Sequence, residues 1–197
     1  TSFSEKVEFV KCINTKQAVF RITTPKGAHT KVGALRVYDR TGLSGPILML
    51  IDPLSTTTAT STDKTQPQLL KLPVAVDGRM GGLNSHWFTF EAKAGQRVSI
   101  EVYAERIAST ADPMIRLMDP KGREVDYADD DDVLGSDAGL IHAVKITGQY
   151  RLELRDVQYR GGLPYRLRIG DFLIWPKLKA GKGQVTEKEP NDKIKQA

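Results

Sequence analysis

The chain has 197 residues, of which 40% are hydrophobic and 27% are charged, a composition typical of one or two globular domains and not of a disordered chain. Its net charge is +5, but no stripe of lysine and arginine with interleaved aromatic residues is present, so nucleic-acid binding is not predicted. No apolar run approaches the roughly 20 residues that span a bilayer. The single cysteine, Cys12, excludes an internal disulfide and a multi-cysteine zinc site.

Residues 1–54 are predicted to form four short strands: KVEFVKC, QAVFRITTP, GALRVYD and PILMLID. An immunoglobulin-like sandwich uses about seven strands. We therefore interpret this segment as part of an immunoglobulin-like module, or as a small sheet that leans on its neighbour. The Ser/Thr-rich stretch STTTATSTDKTQ comes next, and residues 55–65 are predicted to be a linker.

Residues 66–172 alternate apolar and polar side chains with the period of a β-strand. In HWFTFEAKAGQRVSIEVYA, Phe88 and Phe90 share one face. After the turn, Val98, Ile100 and Val102 share one face of the next strand. The same period recurs in PMIRLMD, GLIHAVKIT, QYRLELRDV and LPYRLRIG, with turn signals between them. At least seven short strands predict an all-β fold here, an antiparallel β-sandwich or jelly roll.

An ordered series of motifs in this region resembles the bacterial pre-peptidase C-terminal domain family and is similar to the collagen-binding domains of bacterial collagenases. The motifs are LPVAVDG, HWFTFEAKAGQRVSIEV, ADPMIRLMDPKGREV, YADDDD, GQYRLELRD and YRLRIG. The resemblance implies a β-sandwich in a secreted, periplasmic or cell-surface protein. It also implies that the N-terminal strands are the end of an immunoglobulin-like module, and that residues 173–197 are a linker and the lead-in of a following domain.

Calcium is the cofactor that the oxygen ligands of this chain favour. The segment EKEPND places four such side chains close together: Glu187, Glu189, Asn191 and Asp192. The family resemblance implies that they are part of an incomplete calcium site, completed by the following domain. The resemblance also implies that ATSTDKT is the corresponding lead-in of residues 66–172, with Thr, Ser and Ala in place of the expected carboxylates and only Asp63 nearby, and that Asn84-Ser85-His86 replaces an acidic pair. We therefore expect only weak calcium binding by residues 1–197.

A second acidic segment, DYADDDDVLGSD, leaves two interpretations open. Packed carboxylates repel one another until a cation joins them, so the loop could bind calcium. The alternative is a solvated loop between strands. The residues predicted for the metal interpretation are Asp129, Asp130, Asp132 and Asp137.

Four arginines are predicted to point away from the core on strands expected to be neighbours: Arg151, Arg155, Arg166 and Arg168. Guanidinium groups bind carboxylate and sulfate through two parallel hydrogen bonds. Such a face could bind an acidic polysaccharide, whereas the alternative is an ordinary solvent-exposed face balanced by nearby carboxylates.

Catalysis is not predicted. Ser85 and His86 are adjacent, so in a strand they point to opposite sides and cannot act together as nucleophile and base. The sequence predicts a noncatalytic structural or adhesive module, with neighbouring β domains of the same polypeptide, an acidic polysaccharide or an extracellular protein as partners. The alternative is an accessory domain of a secreted peptidase or other hydrolase.

Overall fold

The computed structural model describes residues 6–15, 17–25, 29–40, 42–130 and 134–174. Sixteen strands form in this part of the chain. They are β1 (Lys6–Asn14), β2 (Gln17–Thr23), β3 (Lys31–Leu35), β4 (Tyr38–Asp39), β5 (Gly42–Leu43), β6 (Ile47–Ile51), β7 (Thr56–Thr58), β8 (Gln68–Leu69), β9 (Val74–Gly81), β10 (His86–Ala92), β11 (Arg97–Tyr103), β12 (Pro113–Met118), β13 (Glu124–Ala128), β14 (Gly139–Ala143), β15 (Gly148–Asp156) and β16 (Gly161–Gly170). A short 3₁₀ turn, Glu105–Ile107, follows β11.

Two five-stranded sheets form the β-sandwich that the alternation predicts, and the all-β fold class is confirmed. Sheet I has the strand order β13-β12-β15-β10-β8, and sheet II has the order β14-β11-β16-β9-β7. Most neighbours are antiparallel, but the edge strands β7 and β8 pair in parallel with β9 and β10. The sandwich is therefore mixed at one edge of each sheet.

The core lies between the inner faces of the two sheets. Phe88 and Leu152 from sheet I and Ile100 and Leu167 from sheet II have no exposed surface and belong to one hydrophobic cluster. Large apolar side chains at every second position give each strand one buried face, and their burial drives the two sheets together. The predicted inward set of β10 and β11 is confirmed.

The outer face of sheet II is also buried along β11 and β16. Ser99 and Glu101, which alternate with the inward residues of β11, have no exposed surface. Residues of the N-terminal strands lie over this face, where Thr30 Oγ1 accepts a hydrogen bond from Arg168 at 3.1 Å. Ser99 Oγ donates to the carbonyl oxygen of Phe172 at 2.5 Å. Alternation alone could not predict this second layer, because the residues that form it are distant in sequence.

The N-terminal strands form pairs and not a closed sheet. β1 pairs with β2, β3 with β6, and β4 with β5, all antiparallel. Leu35 and Ile51 form a small second cluster, with Phe20 packed against it. Phe9 and Ile13 on β1 are each about 60% exposed. The immunoglobulin-like character of this segment stays a prediction.

The Ser/Thr-rich connector is more ordered than a linker. Thr56, Thr57 and Thr58 form β7 and pair in parallel with Ala75, Val76 and Asp77 of β9. The chain continues across sheet I, where the backbone N–H of Trp87 donates to the carbonyl of Ser61 at 3.1 Å. The linker prediction for residues 55–65 is therefore corrected for β7, because threonine suits an edge strand as well as it suits a polar connector.

Candidate functional site

The four arginines predicted to form one binding face lie on different sheets. Arg151 and Arg155 are on β15 of sheet I, whereas Arg166 and Arg168 are on β16 of sheet II. The prediction of a single arginine face is therefore wrong. Alternation shows which side of a strand a residue occupies, but it does not show which strand lies beside it, and the consecutive strands β15 and β16 belong to opposite sheets.

Arg166 joins the sandwich to the N-terminal strands through a buried carboxylate. Asp52, directly after β6, has no exposed side-chain surface, and its two oxygens accept hydrogen bonds from Nε and Nη2 of Arg166 at 3.0 and 3.2 Å. Arg166 Nη1 also donates to Asp77 at 2.8 Å. The Nε atom of Arg168 lies 3.5 Å from the same Asp52 carboxylate. Two arginines of the sandwich thus share one N-terminal acid.

The ion pairs continue along the outer face of sheet II. Glu101 accepts a hydrogen bond from Arg168 Nη1 at 2.8 Å and one from Arg106 Nη1 at 2.8 Å. Burial raises the pKa of Glu101, and the hydrogen bond and charge of Arg106 act in the opposite direction. Arg168 is consequently occupied by partners within the chain and is not presented to a ligand.

Asp137 belongs to this buried network. Its Oδ1 accepts hydrogen bonds from the backbone N–H groups of Ala104 and Glu105, both at 2.7 Å, and its Oδ2 accepts from Arg106 Nε at 2.6 Å. The carboxylate has no exposed surface. The predicted metal role of Asp137 is corrected, because these bonds occupy both oxygens and hold the 3₁₀ turn in place.

Three other carboxylates converge at one end of sheet I, and we call them the Asp112 cluster. One oxygen each from Asp112, Asp129 and Asp130 lies within 4.8 Å of the others. Asp129 and Asp130 follow β13, and Asp112 precedes β12. Because β12 and β13 are antiparallel neighbours, the end of one strand meets the start of the other. Sequence analysis found the pair but missed Asp112, which the hairpin register could have indicated.

The Asp112 cluster is electrostatically unfavourable in the absence of a cation. The Oδ1 atoms of Asp112 and Asp129 are buried and have no hydrogen-bond partner among the described residues, while Asp129 Oδ2 accepts from the Tyr127 hydroxyl at 2.9 Å. Burial raises the pKa of Asp112, and the charges of Asp130 and Asp129 raise it further. Hard carboxylate oxygens are the ligands that calcium prefers. These are the residues of the described chain that could hold a metal ion.

The remaining predicted metal ligands lie outside the described residues. They are Asp132 of the acidic loop and Glu187, Glu189, Asn191 and Asp192 of the predicted lead-in.

A groove of about 510 Å³ crosses the outer face of sheet I, and we call it the Arg151 groove. Lys64 of the connector lies on one side and Lys121 of the β12–β13 turn on the other, with Arg151 on the floor. Arg155, on the same strand, lies outside the groove, where its guanidinium covers the Tyr159 ring at 4.5 Å and donates to backbone carbonyls.

A cavity of about 860 Å³ lies where Thr30, Pro53 and Leu54 meet the sandwich. Leu54 from the N-terminal part and Leu70, Leu72 and Phe172 from the sandwich line it, with Arg97 beside them. Its lining is mainly apolar.

Ser85 and His86 point in opposite directions, as the sequence predicts. Ser85 Oγ donates to Glu153 Oε1 at 2.6 Å on the outer side of sheet I. His86 Nδ1 contacts the Tyr165 hydroxyl in the interior, where burial lowers the pKa of the imidazole. The two side chains therefore cannot form a nucleophile and base pair.

Across the described residues, none of the helical segments is long and apolar enough for a membrane span.

The fold is that of a two-sheet β-sandwich, and comparison with known proteins gives similarity only in structure. No protein-family model matches the sequence, and no curated protein matches it significantly. The pre-peptidase C-terminal domain of collagenase from Bacillus anthracis, a member of the family that the motifs resemble, is 18% identical, with a TM-score of 0.43 over 53% of this chain and 94% of that one.

Two other solved structures are similar over a comparable share of this chain. PliG of Aeromonas hydrophila, a periplasmic inhibitor of g-type lysozyme, is 15% identical, with a TM-score of 0.42 over 59% of this chain and 96% of that one. The surface-associated copper-binding protein CorA of Methylomicrobium album BG8 is 8% identical, with a TM-score of 0.39 over 58% of this chain and 99% of that one. Similarity at this level does not establish a shared ligand or activity.

Proposed function

We propose that the chain is a noncatalytic structural or adhesive module of a larger secreted, periplasmic or cell-surface bacterial protein. The observation that carries this proposal is the buried carboxylate of Asp52 between Arg166 and Arg168. An ion pair taken out of water is stable only in a fixed geometry with its hydrogen bonds satisfied. It therefore holds the N-terminal strands and the sandwich as one mechanical unit, as a module in a string of β domains requires.

The surfaces suit binding better than turnover. The outer face of sheet I is open and polar, whereas the ionic groups of sheet II are committed to one another. Neighbouring β domains of the same polypeptide, an acidic polysaccharide or an extracellular protein are the partners we propose. The competing proposal is an accessory domain of a secreted peptidase or other hydrolase, which would use the same surfaces to position an enzyme.

Scanning calorimetry tests the structural proposal. A single mechanical unit should unfold in one transition whose calorimetric and van't Hoff enthalpies agree. Two separate transitions, one for the N-terminal strands and one for the sandwich, would contradict it. Turnover of peptide, ester or glycoside substrates that a point substitution abolishes would contradict the noncatalytic role. Stimulation of a hydrolase by the added chain would favour the competing proposal.

A further inference from the structure

We infer that the Arg151 groove binds a polysaccharide of uronic acids. This inference rests on the proposed adhesive role and names its ligand. Four basic side chains and three acidic ones line the groove. The class of ligand follows from which of these charged side chains are paired with one another and which are not.

Each acidic side chain of the groove is ion-paired with an arginine, although two of the three share one guanidinium. Glu124 and Glu153 both accept hydrogen bonds from Arg116, at 2.7 and 3.3 Å. Asp119 accepts from Nη2 of Arg123 at 2.6 Å, outside the groove lining. This pairing reduces the repulsion of an incoming anion, and the groove lining keeps a net positive charge, with four basic side chains against three acidic ones.

Three basic side chains have no carboxylate partner within the part of the chain that the structure describes. They are Lys64, Lys121 and Arg151, all exposed. The Lys64 ammonium lies 5.1 Å from the centre of the Trp87 ring, which orients it without neutralising it. Lys64 and Lys121 stand on the two sides and Arg151 on the floor, so the free positive charge extends across the groove. An extended polyanion complements this arrangement.

The position of the groove disfavours a peptide. Extended peptides bind sheets by pairing with an edge strand, whose backbone groups are free. The floor of this groove is formed by β10, β15 and β12, which occupy the interior of sheet I and already pair with one another. A ligand here must be recognised by side chains. Gln149 supplies an exposed amide group beside Arg151, and an amide suits the hydroxyl groups of a sugar.

The covered Trp87 ring disfavours a nucleic acid. Single-stranded nucleic acids gain much of their affinity by stacking bases on exposed aromatic rings. Trp87 is the one aromatic side chain among the described groove residues, it is 7% exposed, and Lys64 covers it. A uronic acid needs no stacking surface, because the planar fork of Arg151 can bind its carboxylate through two parallel hydrogen bonds.

Isothermal titration with polygalacturonate, in buffer containing a calcium chelator, tests the inference. The chelator removes any bridging of the polymer by a metal at the Asp112 cluster. We expect binding that weakens as salt is raised, and at least tenfold weaker binding by Arg151→Gln. Arg155→Gln is the matched control, since it removes the same charge from the same strand outside the groove, and it should bind within about twofold of the parent chain.

A methyl-esterified polygalacturonate has the same backbone without the charges and should not bind. Equal binding of the esterified polymer, unchanged binding by Arg151→Gln, or tighter binding of heparin, polyglutamate or oligothymidylate would overturn the inference. Calorimetry that still shows one unfolding transition would leave the proposed structural role standing. The two proposals can therefore fail independently.

Discussion

The outer faces of the two sheets carry arginine at alternate strand positions but place it in opposite environments. On sheet II, Arg168 is 5% exposed and bonded to Glu101. On sheet I, Arg151 is exposed and lacks a charged or hydrogen-bonded partner among the described residues. The difference lies in what covers each face, because the N-terminal strands lie over sheet II and leave sheet I open to solvent. The same residue type therefore stabilises the fold on one sheet and is free to bind on the other.

Replacing Asp52 should have the largest effect on the covered face. Asp52→Ala leaves Arg166 and Arg168 in a buried site without their shared counterion, and breaking a buried pair in this way costs about 3–5 kcal/mol of unfolding free energy. Urea denaturation measures the loss. The matched control is Asp171→Ala, whose ion pair with Arg97 is exposed and should contribute less than about 1 kcal/mol. Equal losses for the two variants would contradict the distinction.

The same substitution on the two sheets tests the comparison directly. Arg168→Gln removes a charged hydrogen bond from the fully buried Glu101 and should cost about 2–3 kcal/mol. Arg151→Gln removes no ion pair or side-chain hydrogen bond within the described residues and should change stability by no more than about 0.5 kcal/mol. Thermal melts at matched pH check both values. A marked loss of stability for Arg151→Gln would mean that Arg151 on the outer face of sheet I contributes to the stability of the fold.

A substitution in the Asp112 cluster should have a small effect on stability, and the effect should be stabilising. Because the folded protein raises the pKa of Asp112, the ionised carboxylate opposes folding above that pKa, and this penalty disappears as the pH falls through it. Asp112→Asn should therefore stabilise the metal-free protein at pH 7 by up to about 1 kcal/mol. The gain should vanish at low pH, as melts across a pH series would reveal.

Calcium should stabilise the parent chain but not the Asp112→Asn variant. Millimolar calcium should raise the melting temperature of the parent chain slightly, because a cation bound only by the folded state stabilises it, and should leave Asp112→Asn unchanged. Micromolar binding would show that the expectation of weak calcium binding underestimates the site. A destabilised Asp112→Asn in chelator would show instead that the carboxylate is a structural acceptor.

The inner faces of the strands could be predicted from the sequence, and their outer surroundings could not. Phe88, Phe90 and Leu152 follow a local period of two, which any strand with one buried face must show. The partners of Arg166 depend on Asp52, 114 positions away along the chain, and no local pattern encodes that contact. Two of the three residues of the candidate cation site, Asp129 and Asp130, could be predicted because they are adjacent in an acidic segment. Asp112 joins them only through the pairing of β12 with β13.

Strand β7 determines where the sandwich must begin if it is expressed alone or fused to another protein. Its three threonines pair with Ala75, Val76 and Asp77, and without them the buried strand β9 would present unpaired N–H and carbonyl groups at the border of sheet II. Such a bare border invites pairing between molecules and aggregation. A transferable unit must therefore begin before Thr56, and a version trimmed to residue 66 should self-associate even though its core residues are all retained.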